Sequence, residues 1–172
     1  YADLTTAATN IQDAADAATN GDLILVNDGI YQDGFRANTV SGFPGGVSSE
    51  TNRLMIGKCI TVQSIHGPPA AFISGSGMFR CVYLTNGAFL NGFTMTNGAA
   101  GKGGGVSGAM FGGGVVSNCV LTGNSATTFG GGAATVRRGG PPGAYTSVDR
   151  ELPRQLPLPV QRRSQRPRVR AA

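Results

Sequence analysis

An asparagine and glycine pattern that recurs at a spacing of 27 residues constrains the fold more than any other feature. The recurring positions are Asn91 and Asn118, Asn97 and Asn124, and the glycine triplets 103–105 and 130–132. A second spacing, of 22 residues, separates Lys58-Cys59 from Arg80-Cys81. Self-similarity at about 20–50 residues indicates structural units that stack, because no single unit can bury its own apolar face.

Short apolar segments separated by Asn, Gly and Pro predict the kind of unit that stacks. After residue 54 the predicted strands are 59–62, 71–73, 81–84, 89–90, 92–95, 115–116 and 119–121. Strands this short, joined by tight turns, fit a coil with three strands per turn. Each strand would pair with its counterpart ~4.8 Å away in the next turn. The sequence therefore predicts an all-β solenoid over residues 1–136.

The four recurring asparagines are predicted to be structural. Asn tolerates left-handed backbone conformations and hydrogen-bonds locally through its amide. Equivalent asparagines in successive turns can also form amide ladders. These turn and ladder positions are Asn91, Asn97, Asn118 and Asn124.

The N-terminal segment predicts a helix that covers the first coil. Thr9 and Gln12 fit a capping box, and a helix is predicted over about residues 10–19. Its apolar face would carry Ile11, Ala14, Ala15 and Ala18. Residues 23–26 are predicted to form a buried strand, whereas residues 33–53 have little periodicity and are predicted to form a loop.

Charge divides the chain into two parts. Residues 1–136 carry five basic groups against seven acidic ones, a net charge of −2. Residues 137–172 carry nine arginines against Asp149 and Glu151, a net charge of +7, and six prolines. This composition predicts a disordered, non-globular tail. A basic arm that contacts nucleic acid is the competing interpretation, but Tyr145 is the only aromatic residue there, so we do not expect nucleic acid as a partner.

The sequence predicts no metal site, no cofactor and no membrane span. Cys59, Cys81 and Cys119 are an odd number without a CxxC spacing, which argues against a disulfide framework and a zinc site. Their aliphatic neighbours predict small buried hydrophobes instead. No apolar stretch approaches the ~18 residues of a membrane-spanning helix.

The search for catalytic chemistry finds no complete constellation. No Asp or Glu lies between Glu50 and Asp149, so the predicted coils lack a hydrolytic carboxylate pair and a carboxylate calcium site. If 22 residues make one coil, Lys58 and Arg80 stack on one face and could bind an anionic sugar; simple surface charges are the alternative. His66 is predicted to be a turn residue, because no carboxylate nearby in sequence could orient it as a base.

Several of these segments resemble a known superfamily. Asn10-Ile11-Gln12-Asp13-Ala14-Ala15 followed by Gly21-Asp22-Leu23-Ile24-Leu25-Val26 is similar to the opening of bacterial proteins with the pectin-lyase-like fold. Asn118-Cys119-Val120-Leu121-Thr122-Gly123-Asn124 is similar to their coils. The resemblance covers residues 1–136 and implies a right-handed parallel β-helix with a short N-terminal capping helix.

The resemblance also implies what such a protein does. Its closest likeness is to large exported repeat proteins of environmental bacteria, so an extracellular or cell-surface location is expected. We predict a structural or interaction module with polysaccharide as the expected partner. The alternative is the N-terminal part of a polysaccharide lyase or glycoside hydrolase whose catalytic coils are missing. The chain starts at Tyr1 without a leader, so we expect a processed chain or a fragment.

The tail departs from this pattern, since Arg- and Pro-rich sequence follows the second glycine triplet. We hypothesise that residues from about 134 are translated out of frame from GC-rich coding DNA. Translation of the other two frames of the gene should then continue the Asn- and Gly-rich pattern. If neither frame does, the hypothesis is wrong.

Overall fold

The computed structural model describes residues 7–43, 46–85, 87–109 and 113–134. The predicted disordered tail, residues 137–172, lies outside the described residues. The described chain is mostly β-strand with one short helix, in agreement with the predicted all-β class. Its elements are α1 (Ile11–Ala17), β1 (Leu23–Val26), β2 (Gly29–Tyr31), β3 (Arg36–Phe43), β4 (Gly46–Ile56), β5 (Thr61–Ser64), β6 (Ala71–Ser74), β7 (Arg80–Leu84), β8 (Phe89–Asn91), β9 (Thr94–Thr96), β10 (Ala99–Lys102), β11 (Val106–Gly108), β12 (Val115–Ser117), β13 (Val120–Thr122), β14 (Ser125–Phe129) and β15 (Ala133–Ala134).

The strands form four sheets that the chain visits in a fixed order. Sheet A is β1-β5-β8-β12, sheet B is β2-β6-β9-β13, sheet C is β3-β4-β7-β11-β15, and sheet D is β10-β14. The chain passes from sheet A to sheet B to sheet C and then returns to sheet A; we call each such passage a circuit. In the last two circuits a strand of sheet D lies between the strands of sheets B and C. All neighbouring strands pair in parallel except β3 and β4, which are antiparallel.

Rows of side chains in register across the circuits form the core. The three rows are Ile24-Val62-Leu90-Val116 in sheet A, Tyr31-Ile73-Met95-Leu121 in sheet B, and Leu54-Val82-Val106-Ala133 in sheet C. The members from the middle circuits and Leu54 of the first circuit are almost completely buried, whereas the other members from the first and last circuits are only partly buried. Each circuit therefore relies on its neighbours to cover its apolar side chains. Burying one such side chain completely stabilises the fold by about 1.5–3 kcal/mol.

Helix α1 covers one end of this core. Ile11 and Ala15 face the core, and Gln12 is buried beside them. The Gln12 amide accepts a hydrogen bond from the Met55 N–H (2.8 Å) and donates one to the Met55 carbonyl (3.3 Å). It thus satisfies the backbone of β4, which would otherwise need a preceding strand.

The helix is predicted correctly in place but not in its ends. Asn10, not Thr9, is the N-cap, and its side chain accepts a hydrogen bond from the Asp13 N–H at 2.8 Å. The helix ends at Ala17 because Ala18 is already extended, and Lys58 takes the carbonyls of this turn. The N-cap is therefore shifted by one residue from its predicted position.

Two other N-terminal predictions are wrong. Residues 33–53 are not a loop, since β3 and the first half of β4 form an antiparallel hairpin there. Two of its described side chains, Asn38 and Asn52, are buried and polar, so they give no hydrophobic alternation from which these strands could be predicted. Strand β1 exists but is only partly buried: it lies at the edge of sheet A, with Val26 in the core and Leu23 and Leu25 each 57% exposed.

The register explains where the predicted spacing of 27 holds and where it fails. In sheet A, Asn91 pairs with Ser117, a spacing of 26, whereas in sheet C Val106 pairs with Ala133, a spacing of 27. The change occurs between Ala100 and Lys102 of β10, where β14 holds one extra residue. A bulge between the two circuits thus produces both spacings.

Strands β10, β11, β14 and β15 are absent from the sequence prediction, because their short segments of mainly small and polar residues give no apolar periodicity. Glycines beside these strands allow close backbone approach. A Cβ on Gly104 would lie 2.0 Å from the Ser125 carbonyl oxygen, and one on Gly98 would lie 2.0 Å from that of Gly104. These positions therefore need glycine for packing rather than for binding phosphate.

Replacing Phe93, the largest fully buried side chain, should test the shared core. We expect Phe93→Ala to lower the free energy of unfolding by about 3–5 kcal/mol, because a cavity replaces the ring. The control Ile30→Ala removes a side chain that is 67% exposed and should change stability by no more than ~0.5 kcal/mol. Urea denaturation measures both, and equal losses would contradict this description of the core.

Candidate functional site

The predicted cationic pair, Lys58 and Arg80, does not share a face. Lys58 lies before β5, outside any strand, whereas Arg80 begins β7 and pairs in register with Asn52 of β4. Register partners here are 28 residues apart rather than 22, since Asn52 pairs with Arg80 and Thr61 pairs with Phe89. The 22-residue similarity is therefore not a structural equivalence, and the predicted stacking is wrong.

Lys58 caps the C-terminal end of helix α1. Its Nζ donates to the carbonyls of Ala15 (3.2 Å), Asp16 (2.6 Å) and Ala18 (2.6 Å). These are carbonyls of the last turn, which have no partner inside the helix, and the positive charge also faces the negative end of the helix dipole. The ammonium group therefore holds the helix against the second circuit.

Arg80 is the centre of a buried polar cluster. Its guanidinium donates to Asn52 Oδ1 (2.6 Å) and to the carbonyls of Lys102 (2.9 Å) and Gly103 (3.0 Å). Its Nη2 also lies 3.8 Å from a carboxylate oxygen of Glu50. Burial lowers the pKa of Arg80 from its usual value, and Glu50 opposes that shift. Arg80 thus joins the hairpin, β7 and the end of β10.

The asparagines around Arg80 are oriented by its charge. Asn52 Nδ2 donates to Asn38 Oδ1 at 2.7 Å, which leaves Asn52 Oδ1 free to accept from Arg80. Asn38 Oδ1 lies 3.4 Å from Arg80 Nη1 as well. With its oxygen fixed in this way, Asn38 turns Nδ2 into the protein, where it has no partner among the described residues.

Arg53 is a third cation that lies in the structure rather than at the surface. It is 6% exposed and donates to the carbonyls of Ser74 (2.9 Å) and Gly34 (2.7 Å). Its guanidinium lies 4.9 Å from the centre of the Phe79 ring, and Phe79 stacks on Phe35. Burial lowers the pKa of Arg53. Nothing in the sequence had singled out this residue, because its partners are backbone groups remote along the chain.

His66 has a carboxylate partner that sequence distance concealed. Its Nδ1 lies 2.8 Å from Asp28 Oδ1, although 38 residues separate the two. Both side chains are more than half exposed. A search for carboxylates nearby in sequence could not find Asp28, because the fold of the circuits brings together the turns that follow β1 and β5.

The four asparagines occupy different structural positions. Asn97 and Asn118 have positive φ angles of 51° and 47°, which Asn tolerates better than most residues. Asn124 accepts from the Gly98 N–H (2.7 Å) and donates to the Met95 carbonyl (2.9 Å), so it joins two circuits. Asn91 lies in β8 and pairs with Ser117 rather than Asn118, so the predicted pairs are not register partners.

The cysteines differ from one another in burial. Cys81 is fully buried, and burial raises the pKa of its thiol to about 12. Cys119 is half-buried and its pKa is also raised by burial. Cys59 is exposed, so its predicted burial is wrong. The described residues contain no group of three His, Cys, Asp or Glu side chains suited to hold a metal ion.

The outer face of sheet A presents the remaining candidate surface. Two rows in register point away from the core: Leu23-Thr61-Phe89-Val115 and Leu25-Gln63-Asn91-Ser117. Phe89, Gln63 and Asn91 are each partly exposed. An aromatic ring therefore shares the outer face of the sheet with amide and hydroxyl groups, and neighbouring strands are ~4.8 Å apart. We call these two rows the sheet A face.

Comparisons of the chain with protein-family models, curated proteins and solved structures gave no match. No helix in the described ranges combines the length and the hydropathy needed to traverse a bilayer. Functional assignment therefore rests on the side chains described above.

Replacing Arg80 and Lys58 one at a time should show how much each side chain contributes to stability. Arg80→Met leaves Asn52 Oδ1 and two carbonyls without their donor, so we expect a loss of about 3 kcal/mol in the free energy of unfolding. Lys58→Met removes only a helix-end contact and should cost about 1 kcal/mol. Urea melts measure both, and an Arg80→Met protein as stable as the parent would refute the buried role of this guanidinium.

Proposed function

We propose that the described circuits belong to a right-handed parallel β-helix that acts as a structural and interaction module of an exported or cell-surface protein. Three features support this architecture. The chain visits sheets A, B and C in the same order in each circuit, corresponding strands pair in parallel, and their inward side chains form continuous rows. The handedness and the location follow from the resemblance of the opening and coil segments to pectin-lyase-like proteins.

The sheet A face carries the interaction part of the proposal. The C–H face of a sugar ring packs on an aromatic side chain such as Phe89, and its hydroxyls hydrogen-bond to amides such as Gln63 and Asn91. A small number of placed polar groups beside an aromatic surface is the usual composition of a ligand site. We therefore propose a polysaccharide chain as the ligand of this face.

The hydrogen bonds of Lys58 and Arg80 favour a structural and interaction module over a lyase that would use these two residues for uronate elimination. A lyase needs a basic group free to meet the substrate, but Lys58 already donates to three carbonyls. Arg80 is 2% exposed and donates to the hairpin and β10. Both side chains hold the circuits together, whereas Phe89, Gln63 and Asn91 lie on the outer face and are partly exposed.

Polysaccharide retention by variants of the sheet A face tests the proposal. We expect the purified chain to bind one or more of insoluble cellulose, xylan and pectin, measured by depletion from the supernatant. Phe89→Ala should raise the apparent Kd about tenfold, the effect of losing a central aromatic contact.

Phe72→Ala provides the matched control, because Phe72 is a partly exposed phenylalanine of sheet B. It should leave retention unchanged. Equal losses from both variants would mean that the sheet A face is not the binding surface. No retention on any of the three polysaccharides would reject the carbohydrate part of the proposal.

A further inference from the structure

Strand β1 has one backbone edge that no described strand covers. It is the end strand of sheet A, and its pairing partner β5 lies on one side only. The Asp22 and Val26 carbonyls accept from Thr61 and Ile65, so the even-numbered residues direct their backbone groups towards β5. Because hydrogen bonds alternate along a parallel strand, the amides and carbonyls of Leu23 and Leu25 point the other way.

Sheet C ends at β3, which pairs with β4 only as far as Asn52, and the remaining part of β4 differs from β1. There the Gln12 side chain bonds to both the N–H and the carbonyl of Met55 in β4. Gln12 is buried in this position and takes the place of a strand. Helix α1 therefore closes the edge at β4, whereas no such side-chain amide reaches β1 among the described residues.

A groove of about 660 Å³ runs between α1 and the open edge of β1. Its apolar walls come from Ile11, Ala14, Ala17, Ala18, Leu23, Ile24, Leu25 and Val26. Asp22 is a lining residue at the start of β1, and the described lining contains no basic side chain. Four strand residues extend ~13 Å, enough to meet a short peptide along its length.

We propose that this groove, the β1 groove, receives an extended peptide segment of another protein as an added strand of sheet A. The backbone edge at Leu23 and Leu25 requires donors and acceptors repeated along a line, which a polypeptide strand supplies and a lipid does not. The apolar walls favour β-branched or apolar side chains at alternate positions of the peptide. The Asp22 carboxylate favours a peptide with a basic residue.

A labelled peptide of alternating threonine and valine with a terminal lysine is the probe. We expect saturable binding to the full chain in fluorescence polarisation. Ala17→Arg and Leu25→Arg place bulky charge at two exposed positions of the groove, and each should weaken binding about tenfold or more. Met78→Arg is the control, because Met78 is 68% exposed but does not line the groove. Unchanged far-UV circular dichroism verifies that the variants fold.

N-methylation of the peptide distinguishes strand addition from simple apolar contact. Methylating one alternate set of amides should abolish binding, whereas methylating the other set should leave it, because only one edge of a strand faces β1. Equal tolerance of both sets, or no binding at all, would overturn the proposal. So would about tenfold tighter binding after deletion of residues 1–6, because the chain's own first residues would then be the occupant.

Discussion

Every circuit of this protein depends on strand-to-strand register between circuits. A circuit of three short strands has too few apolar side chains to enclose its own core, so rows such as Val62-Leu90 in sheet A and Ile73-Met95 in sheet B must align to bury one another. The middle members of these rows are completely buried. A shift of one residue would turn a row outward, which explains why the extra residue of β14 is absorbed at a bulge and not within sheets A or B.

Hydrogen bonds from charged side chains also fix the register, because they are directional whereas apolar contacts are not. Arg80 and Arg53 donate hydrogen bonds to carbonyls and amides of other circuits, and Lys58 donates to carbonyls at the end of α1. Such contacts are directional, so they fix the hairpin and the helix in one position. The consequence is that the guanidinium and ammonium groups of these residues are already hydrogen-bonded within the fold.

The two ends of the first circuit show how strand edges shape interactions. At β4 the buried Gln12 amide replaces a strand, while at β1 the edge opens onto an apolar groove. An open edge can recruit a further strand, and its chemistry is the same whether the strand belongs to the protein or to a partner. The sheet A face and the β1 groove are adjacent, because Leu23 and Leu25 belong to both.

The sequence by itself determined the all-β class, the helix near residue 11 and most strands that carry Val, Ile, Leu or Phe, because local hydrophobic pattern and turn residues are written along the chain. It also determined that Asn97 and Asn118 lie where turns occur. Only the tertiary structure decided the β3–β4 hairpin, whose buried positions are polar and whose partner Arg80 is remote in sequence. It alone brought Asp28 to His66 and separated Lys58 from Arg80. The physical reason is that these contacts join circuits, and their register is set by the whole stack rather than by any local spacing.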